Sequence, residues 1–164
     1  MIRAFILFAA LALTLAGCAP SKFKDYRGPA VTEVRVFKQA RQMYLLHGEE
    51  VLSSHDVGLG FAPIGHKQFE GDGRTPEGSY LITKRNPDSK YHLSIGIDYP
   101  RPADVARAQS MGLSPGGDIF IHGEDRLLTN PFRDWTAGCI AVSNEEIELI
   151  YAMVRDGTPI NIYR

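Results

Sequence analysis

Hydrophobic and polar positions alternate along most of the chain, in short runs separated by turn residues. Residues 31–37 set Val31, Val34 and Val36 among polar neighbours, a period of two that predicts a strand. A turn near 39–41 leads to residues 42–47, where Tyr44 and Leu46 predict its partner. Residues 51–57 predict a third strand that stops at Gly58 and Gly60. Short strands in succession predict an antiparallel meander. Residues 61–76 lose the pattern, broken by Pro63, Gly65, Gly71, Gly73 and Pro76. Within and just beyond that loop, Gly71-Asp72-Gly73-Arg74-Thr75-Pro76-Glu77-Gly78 should reverse the chain sharply.

The pattern resumes with strands predicted at 79–84 and 92–97, a short surface helix at 103–111 closed by Gly112, and a compact apolar strand at 118–122. A helix near the end has the clearest start signal. Ser143 and Glu146 have the spacing of a capping box. Ile147, Ile150, Tyr151 and Val154 then share one helical face, and Asp156-Gly157 stops the helix. Residues 158–163 alternate into a last strand. The expected fold is mostly β with one or two helices, a β-rich α+β domain shaped as a sandwich or partly closed barrel.

The first twenty residues break with this pattern. Arg3 precedes an apolar run over 4–15 interrupted only by Thr14, and small residues follow. That is the form of a secretory signal peptide, and the run is shorter than the roughly 20 residues of a membrane span. Leu15-Ala16-Gly17-Cys18 resembles a bacterial lipobox. The resemblance implies cleavage before Cys18 and lipid on its thiol. Each buried CH2 of an acyl chain contributes about 0.8 kcal/mol to membrane anchoring. Ala19, rather than Asp, would follow the lipidated residue, which by resemblance to Gram-negative lipoproteins favours the outer membrane. The expected division is a signal peptide at 1–17, a lipidated tether at 18–30 and one domain at 31–164. An ordinary cleaved signal with an incidental Cys18 is the alternative.

Composition narrows the function classes. The 164 residues carry a net charge of −1, which gives no broad footprint for nucleic acid. Cysteine count changes the picture more. There are two, and if Cys18 carries lipid, Cys139 has no disulfide partner in the chain. A lone thiol in an oxidising compartment is a liability unless it acts. A buried, inert cysteine or an intermolecular disulfide are the other readings.

Cys139 follows Asp134-Trp135-Thr136-Ala137-Gly138, a turn just before the capped helix, and His122-Gly123 ends an apolar strand. Active sites are commonly built at such element ends. A thiol becomes a strong nucleophile as thiolate, and a nearby imidazole that takes its proton can lower its pKa to roughly 3.5–7.5. Gly138 lets backbone approach a substrate, and amides near Gly138 and Cys139 are candidate donors to an oxyanion.

His122-Gly123 followed by Thr136-Ala137-Gly138-Cys139 resembles the L,D-transpeptidase catalytic domain, also called YkuD-like. Gly71 to Gly78, Tyr91-His92-Leu93-Ser94 and Asp134 to Val142 are similar to its YafK-like branch. The resemblance covers about 31–163. It implies a β-rich fold, a cysteine acyl-enzyme, Cys139 as nucleophile, His122 as base and the Gly123 carbonyl as orienter of the ring. It implies peptidoglycan stem peptides as substrate and no cofactor. A wall-linked lipoprotein is a possible further partner, and the place of action is the periplasmic face of the envelope, with a membrane contact through the N-terminal lipid. Many family members carry Arg two residues after the nucleophile; here that residue is Ala141, which leaves the reaction open.

Transfer to an amine and hydrolysis by water use the same residues, and the transpeptidase class is the first expectation. A non-catalytic wall-binding lipoprotein is a rival that would need no thiolate. A papain-like or NlpC-like peptidase is another, but those place Cys before His. Around the pair, His92, Tyr91, Thr136 and Arg133 are candidate substrate-binding residues, Arg126 is a second possible cation, and Asp72, Arg74 and Thr75 are expected to serve their turn. His47, His55 and His66 lack ligand-like spacing, and Cys139 with His122 lacks third and fourth ligands, so no metal site is expected.

Overall fold

The computed structural model describes residues 21–124 and 134–164. Cys18 and the leader, Arg126 and Arg133 lie outside the described residues. Eight strands form one sheet: β1 (Glu33–Phe37), β2 (Gln42–His47), β3 (Glu50–Asp56), β4 (Gly78–Asn86), β5 (Ser94–Ile97), β6 (Phe120–Gly123), β7 (Ile140–Val142) and β8 (Pro159–Tyr163). Among the described residues, two helices complete it, α1 (Pro102–Ser110) and α2 (Asn144–Met153).

The first three strands form the expected antiparallel meander, with Val34 facing Leu45 and Val36 facing Met43. Their alternation buries Val34, Val36, Met43 and Leu45 completely. Beyond β1 the order departs from a meander. The last strand, β8, inserts parallel to β1, and the sheet continues β4-β5-β6-β7. β6 and β7 are also parallel.

The two edges nearly meet. Chain leaving β3 crosses to β7, where Gly58 and Ala141 exchange backbone hydrogen bonds of 2.9 and 2.8 Å. Thr136 N–H donates to the Leu59 carbonyl at 3.1 Å, and Phe61 N–H donates to the Thr136 carbonyl at 2.9 Å. The fold is therefore a nearly closed barrel, mostly β, as the patterning predicts. Covering an edge this way also removes a template for unwanted strand pairing.

Helix α2 starts where the capping box places it. Glu146 N–H donates to Ser143 Oγ at 3.2 Å, and Ser143 N–H donates to Glu146 Oε2 at 2.8 Å. Ile147 and Ile150 bury fully against the sheet. The helix ends at Met153 because Val154 turns extended, and Val154 joins the core from outside the helix. Two strand starts are later than expected. His92 and Asp118 take left-handed backbone, with φ of 68° and 54°, so β5 begins at Ser94 and β6 at Phe120.

Residues 22–26 of the expected tether lie against the domain. Lys22 Nζ donates to the Pro87 carbonyl at 2.6 Å, Phe23 packs beside Tyr151, and Tyr26 packs on the core.

Candidate active site

Parallel pairing of β6 with β7 brings the two candidate residues together. In register, Ile121 faces Ile140 and His122 faces Ala141, so Cys139, one residue before β7, lies beside the start of β6. His122 and Cys139 line one cleft of about 710 Å³. Its other wall is the loop from Asn86 to Tyr91, and Ser94, Asp118 and Phe120 complete it.

His122 is 3% exposed and its ring is held on three sides. Nδ1–H donates to the Gly123 carbonyl at 2.9 Å, which puts the proton of the neutral ring on Nδ1 and leaves Nε2 with its lone pair, able to accept a proton. Tyr91 stacks on the ring with centroids 4.5 Å apart, and Trp135 meets it edge-on at 5.9 Å. Gly123 N–H donates to the Tyr91 and Leu93 carbonyls, so the orienting carbonyl is itself fixed. Burial pushes the imidazole pKa down, against the opposing pull of the Gly123 carbonyl and the Glu124 charge.

The Cys139 sulfur has backbone partners. Phe120 N–H donates to it at 3.4 Å, and the thiol donates to the Asp118 carbonyl at 3.5 Å. Burial pushes the thiol pKa up; the Phe120 amide pulls it down, and the Asp118 charge adds to the rise. Pairing with an imidazole led us to expect a lowered thiol pKa. In this resting geometry burial wins, and both groups favour their neutral forms.

The nucleophile turn is braced from beneath. Gly138 has φ of 135°, and a Cβ there would come within 2.7 Å of the Arg74 carbonyl oxygen. The Gly71–Gly78 stretch thus touches the turn through backbone. Asp72 accepts hydrogen bonds from Gln68 N–H, Arg74 N–H and the buried Lys67, while Thr75 Oγ1 accepts from Gly60 N–H. These residues serve their turn, as expected, and the turn in turn supports Cys139.

The remaining candidates divide. Tyr91 is on the cleft wall and 44% exposed, within reach of a ligand. Thr136 is buried, and its hydroxyl is committed inside the turn. It donates to the Cys139 carbonyl at 2.7 Å and accepts from Gly138 N–H at 3.1 Å. That places it as a staple rather than a substrate contact, and it removes Gly138 N–H from the donors free for an oxyanion. His92 turns away from the cleft and bonds Glu148 Oε1 on α2 at 2.8 Å. Among the other histidines, His55 meets Glu146 and His66 accepts from Glu77 N–H.

Sequence reasoning missed two contributors. Phe120 acts through its amide, which carries no side-chain signature. Arg41 forms a fork on Asp134, with Nε to Oδ1 and Oδ2 both at 3.0 Å, and Asp134 Oδ1 also accepts from Leu59 N–H. This clamps the start of the nucleophile turn from a strand turn far back in the chain. Ala141 is fully buried between β6 and Gly58, so a guanidinium at 141 would have to be buried here. Among the described residues, no cluster of three or more His, Cys, Asp or Glu side chains is arranged to hold a metal ion.

With this geometry in hand, the comparisons with known proteins are specific. Residues 32–162 match the YkuD family, the L,D-transpeptidase catalytic domain. The chain is 29% identical over 127 residues to an Escherichia coli (strain K12) protein named "Putative L,D-transpeptidase YafK", covering 74% of this chain and 46% of that one. It spans about half the length of the curated relatives it matches. Among solved structures it aligns with the helical cell shape determining protein Pgp2 of Campylobacter jejuni, at a TM-score of 0.61 and 23% identity, over 84% of this chain and 49% of that one. An L,D-transpeptidase from Mycobacterium smegmatis aligns at 0.57 and 15% identity, over 82% and 59%. At these identities the structures establish a shared fold.

Proposed function

Because the chain belongs to the L,D-transpeptidase catalytic domain family, we propose that it is a cysteine acyltransferase working on peptidoglycan stem peptides through an acyl-enzyme on Cys139. The observation that carries this reading is the His122 ring, fixed by the Gly123 carbonyl and lining the same cleft as the thiol.

As a stem carbonyl approaches, His122 Nε2 takes the thiol proton while Cys139 Sγ bonds to the carbonyl carbon. The carbonyl π pair moves onto its oxygen, and the Phe120 amide, already aimed at the sulfur, stabilises the thiolate character that Sγ gains as its proton leaves. Collapse of the tetrahedral intermediate breaks the carbonyl–nitrogen bond, and the imidazolium returns its proton to the leaving amine. A second amine then attacks the thioester, giving a cross-link or a protein joined to the wall. Water attacking in its place gives hydrolysis, which trims a stem or releases a wall-linked lipoprotein. Both outcomes use the same bond changes at Cys139.

The same reading sets the protein in the cell envelope. Residues 1–17 are removed as a signal, Cys18 carries lipid in the outer membrane, and the domain faces the periplasm. The support is the leader's apolar run and the Leu15-Ala16-Gly17-Cys18 tetrapeptide. No helix of the described residues is long and apolar enough to cross a membrane.

The test incubates the protein with purified sacculi and reads the products by mass spectrometry. New diamino-acid cross-links mean transfer, and freed stems or released protein mean hydrolysis. Cys139→Ala should abolish either product, because the thioester can no longer form. Equal product from wild type and Cys139→Ala would sink the mechanism.

A further inference from the structure

The cleft wall that carries Tyr91 is held from outside by the segment preceding the domain. Lys22 Nζ donates to the Pro87 carbonyl at 2.6 Å and to the His92 carbonyl at 3.3 Å, so one ammonium grips both ends of loop 87–92. Asp88, Ser89, Lys90 and Tyr91 lie between those two grips and line the cleft. The loop's exit is a bend. His92 has a φ of 68°, left-handed backbone that is uncommon outside glycine, although histidine enters it more readily than most. Lys22 meets this residue at its carbonyl and Glu148 at its ring, 2.8 Å from Nε2. Glu148 also pairs with Lys24 at 3.0 Å, so two lysines of the leading segment converge on the same corner.

What that corner supports is the catalytic ring. The Tyr91 side chain stacks on His122, and the Tyr91 carbonyl accepts from Gly123 N–H at 3.1 Å. The loop therefore touches both the base and the residue whose carbonyl orients it. We propose that Lys22 is a positioning residue for the site: by tying Pro87 to His92 it sets Tyr91 against His122, so the segment before the domain is a working part of the cleft. The proposal rests on the catalytic reading of His122 given above. Under that reading, the stretch expected to run toward a lipid anchor is also the brace of one wall of the active site. A pull on that stretch would be felt at the loop that walls the cleft.

The test uses the full-length chain with Lys22→Met, which keeps the aliphatic stem and removes the ammonium, and Lys22→Arg, which restores a donor. Trp135 is the only tryptophan, and its ring meets His122 edge-on, so its fluorescence reports both protonation of His122 and access to the cleft. In Lys22→Met the loop should loosen, Tyr91 should leave the ring, and water should reach His122. The fluorescence midpoint assigned to His122 should then rise, because the burial that holds it down is relieved. Among the described residues, the other titratable groups at the ring or lining its cleft, Glu124, Cys139, Tyr91, Asp88, Lys90 and Asp118, are the same in all variants. Iodide quenching of Trp135 should increase, the melting temperature should change little, and Lys22→Arg should return the midpoint toward wild type. A wild-type midpoint and wild-type quenching in Lys22→Met overturn the proposal. Should Lys22→Met melt early, Lys22→Gln below its own melting range decides by the same readout. On sacculi the loosened wall should raise KM more than it lowers kcat. Because the fluorescence does not depend on what reaction is catalysed, a shifted midpoint in a chain without product on sacculi would discard the proposed reaction and keep this inference.

Discussion

A thiol and an imidazole that are both buried resist charge in opposite directions. Burial raises the pKa of Cys139 and lowers that of His122, so near neutral pH the pair is thiol and neutral ring. Under the proposed mechanism His122 acts as a general base during attack, and no standing thiolate is needed. The sign is checkable by alkylation in a Cys18→Ser chain, where Cys139 is the sole thiol. A raised thiol pKa means less thiolate than in a free cysteine at every pH below it. The iodoacetamide rate should therefore still be climbing above the free-thiol value of about 8.5, with no plateau on the acid side of neutrality. A plateau below pH 7 would instead show a resting thiolate–imidazolium pair. Cys139 and His122 could be singled out in the sequence from their short local frames, and the Gly123 carbonyl followed only from the family resemblance those frames carry. The Phe120 amide, the Tyr91 stack and the commitment of Thr136 were not legible. They depend on which strands lie side by side, and no spacing along the chain encodes that.

Elements whose signals are local were the readable ones. The Ser143–Glu146 box starts α2 where the sequence places it, since a cap involves four consecutive residues. β7 went unseen: three residues, all apolar, give no period to read, and the strand exists because parallel β6 and Gly58 flank it. The late starts of β5 and β6 were hidden for a related reason. His92 and Asp118 are of types that enter left-handed backbone more readily than most, but a positive φ is uncommon even for them, and no spacing along the chain marks where it falls. The cap also has a quantitative consequence. Ser143→Ala leaves Glu146 N–H without its acceptor and should cost about 1 kcal/mol. The loss appears as a lower urea midpoint with an unchanged slope. Ser143→Thr should recover most of it. Cys139 lies outside the helix, so the rate per folded molecule should hold.

At the scale of the molecule, the site depends on how the sheet closes. Three stretches with no strand period between them meet at one point: chain leaving β3, the Gly71–Gly78 turn and the nucleophile turn. Sequence patterning foresaw a partly closed barrel but not this crossing, because backbone touching backbone leaves glycines as its only trace. A Cβ on Gly60 would lie 2.1 Å from the Gly73 carbonyl oxygen and 3.1 Å from Gly138 Cα. Neither neighbour is the end of a flexible side chain, so relief requires the backbone to move. Gly60→Ala should therefore destabilise by at least about 2 kcal/mol, the upper range of overpacking. Its second effect separates closure from stability alone. The backbone that must yield includes Gly138, next to the nucleophile, and a displacement of about 1 Å at a catalytic group costs on the order of 100-fold in rate. Gly60→Ala should keep that rate deficit at a temperature where circular dichroism shows it fully folded. Gly117→Ala is the control, since a Cβ there meets only Pro100 Cδ at 3.9 Å, an ordinary contact. It should match wild type in both measurements. A folded Gly60→Ala protein with the wild-type rate would mean that the nucleophile turn holds its geometry without the closure, and that the crossing serves stability alone.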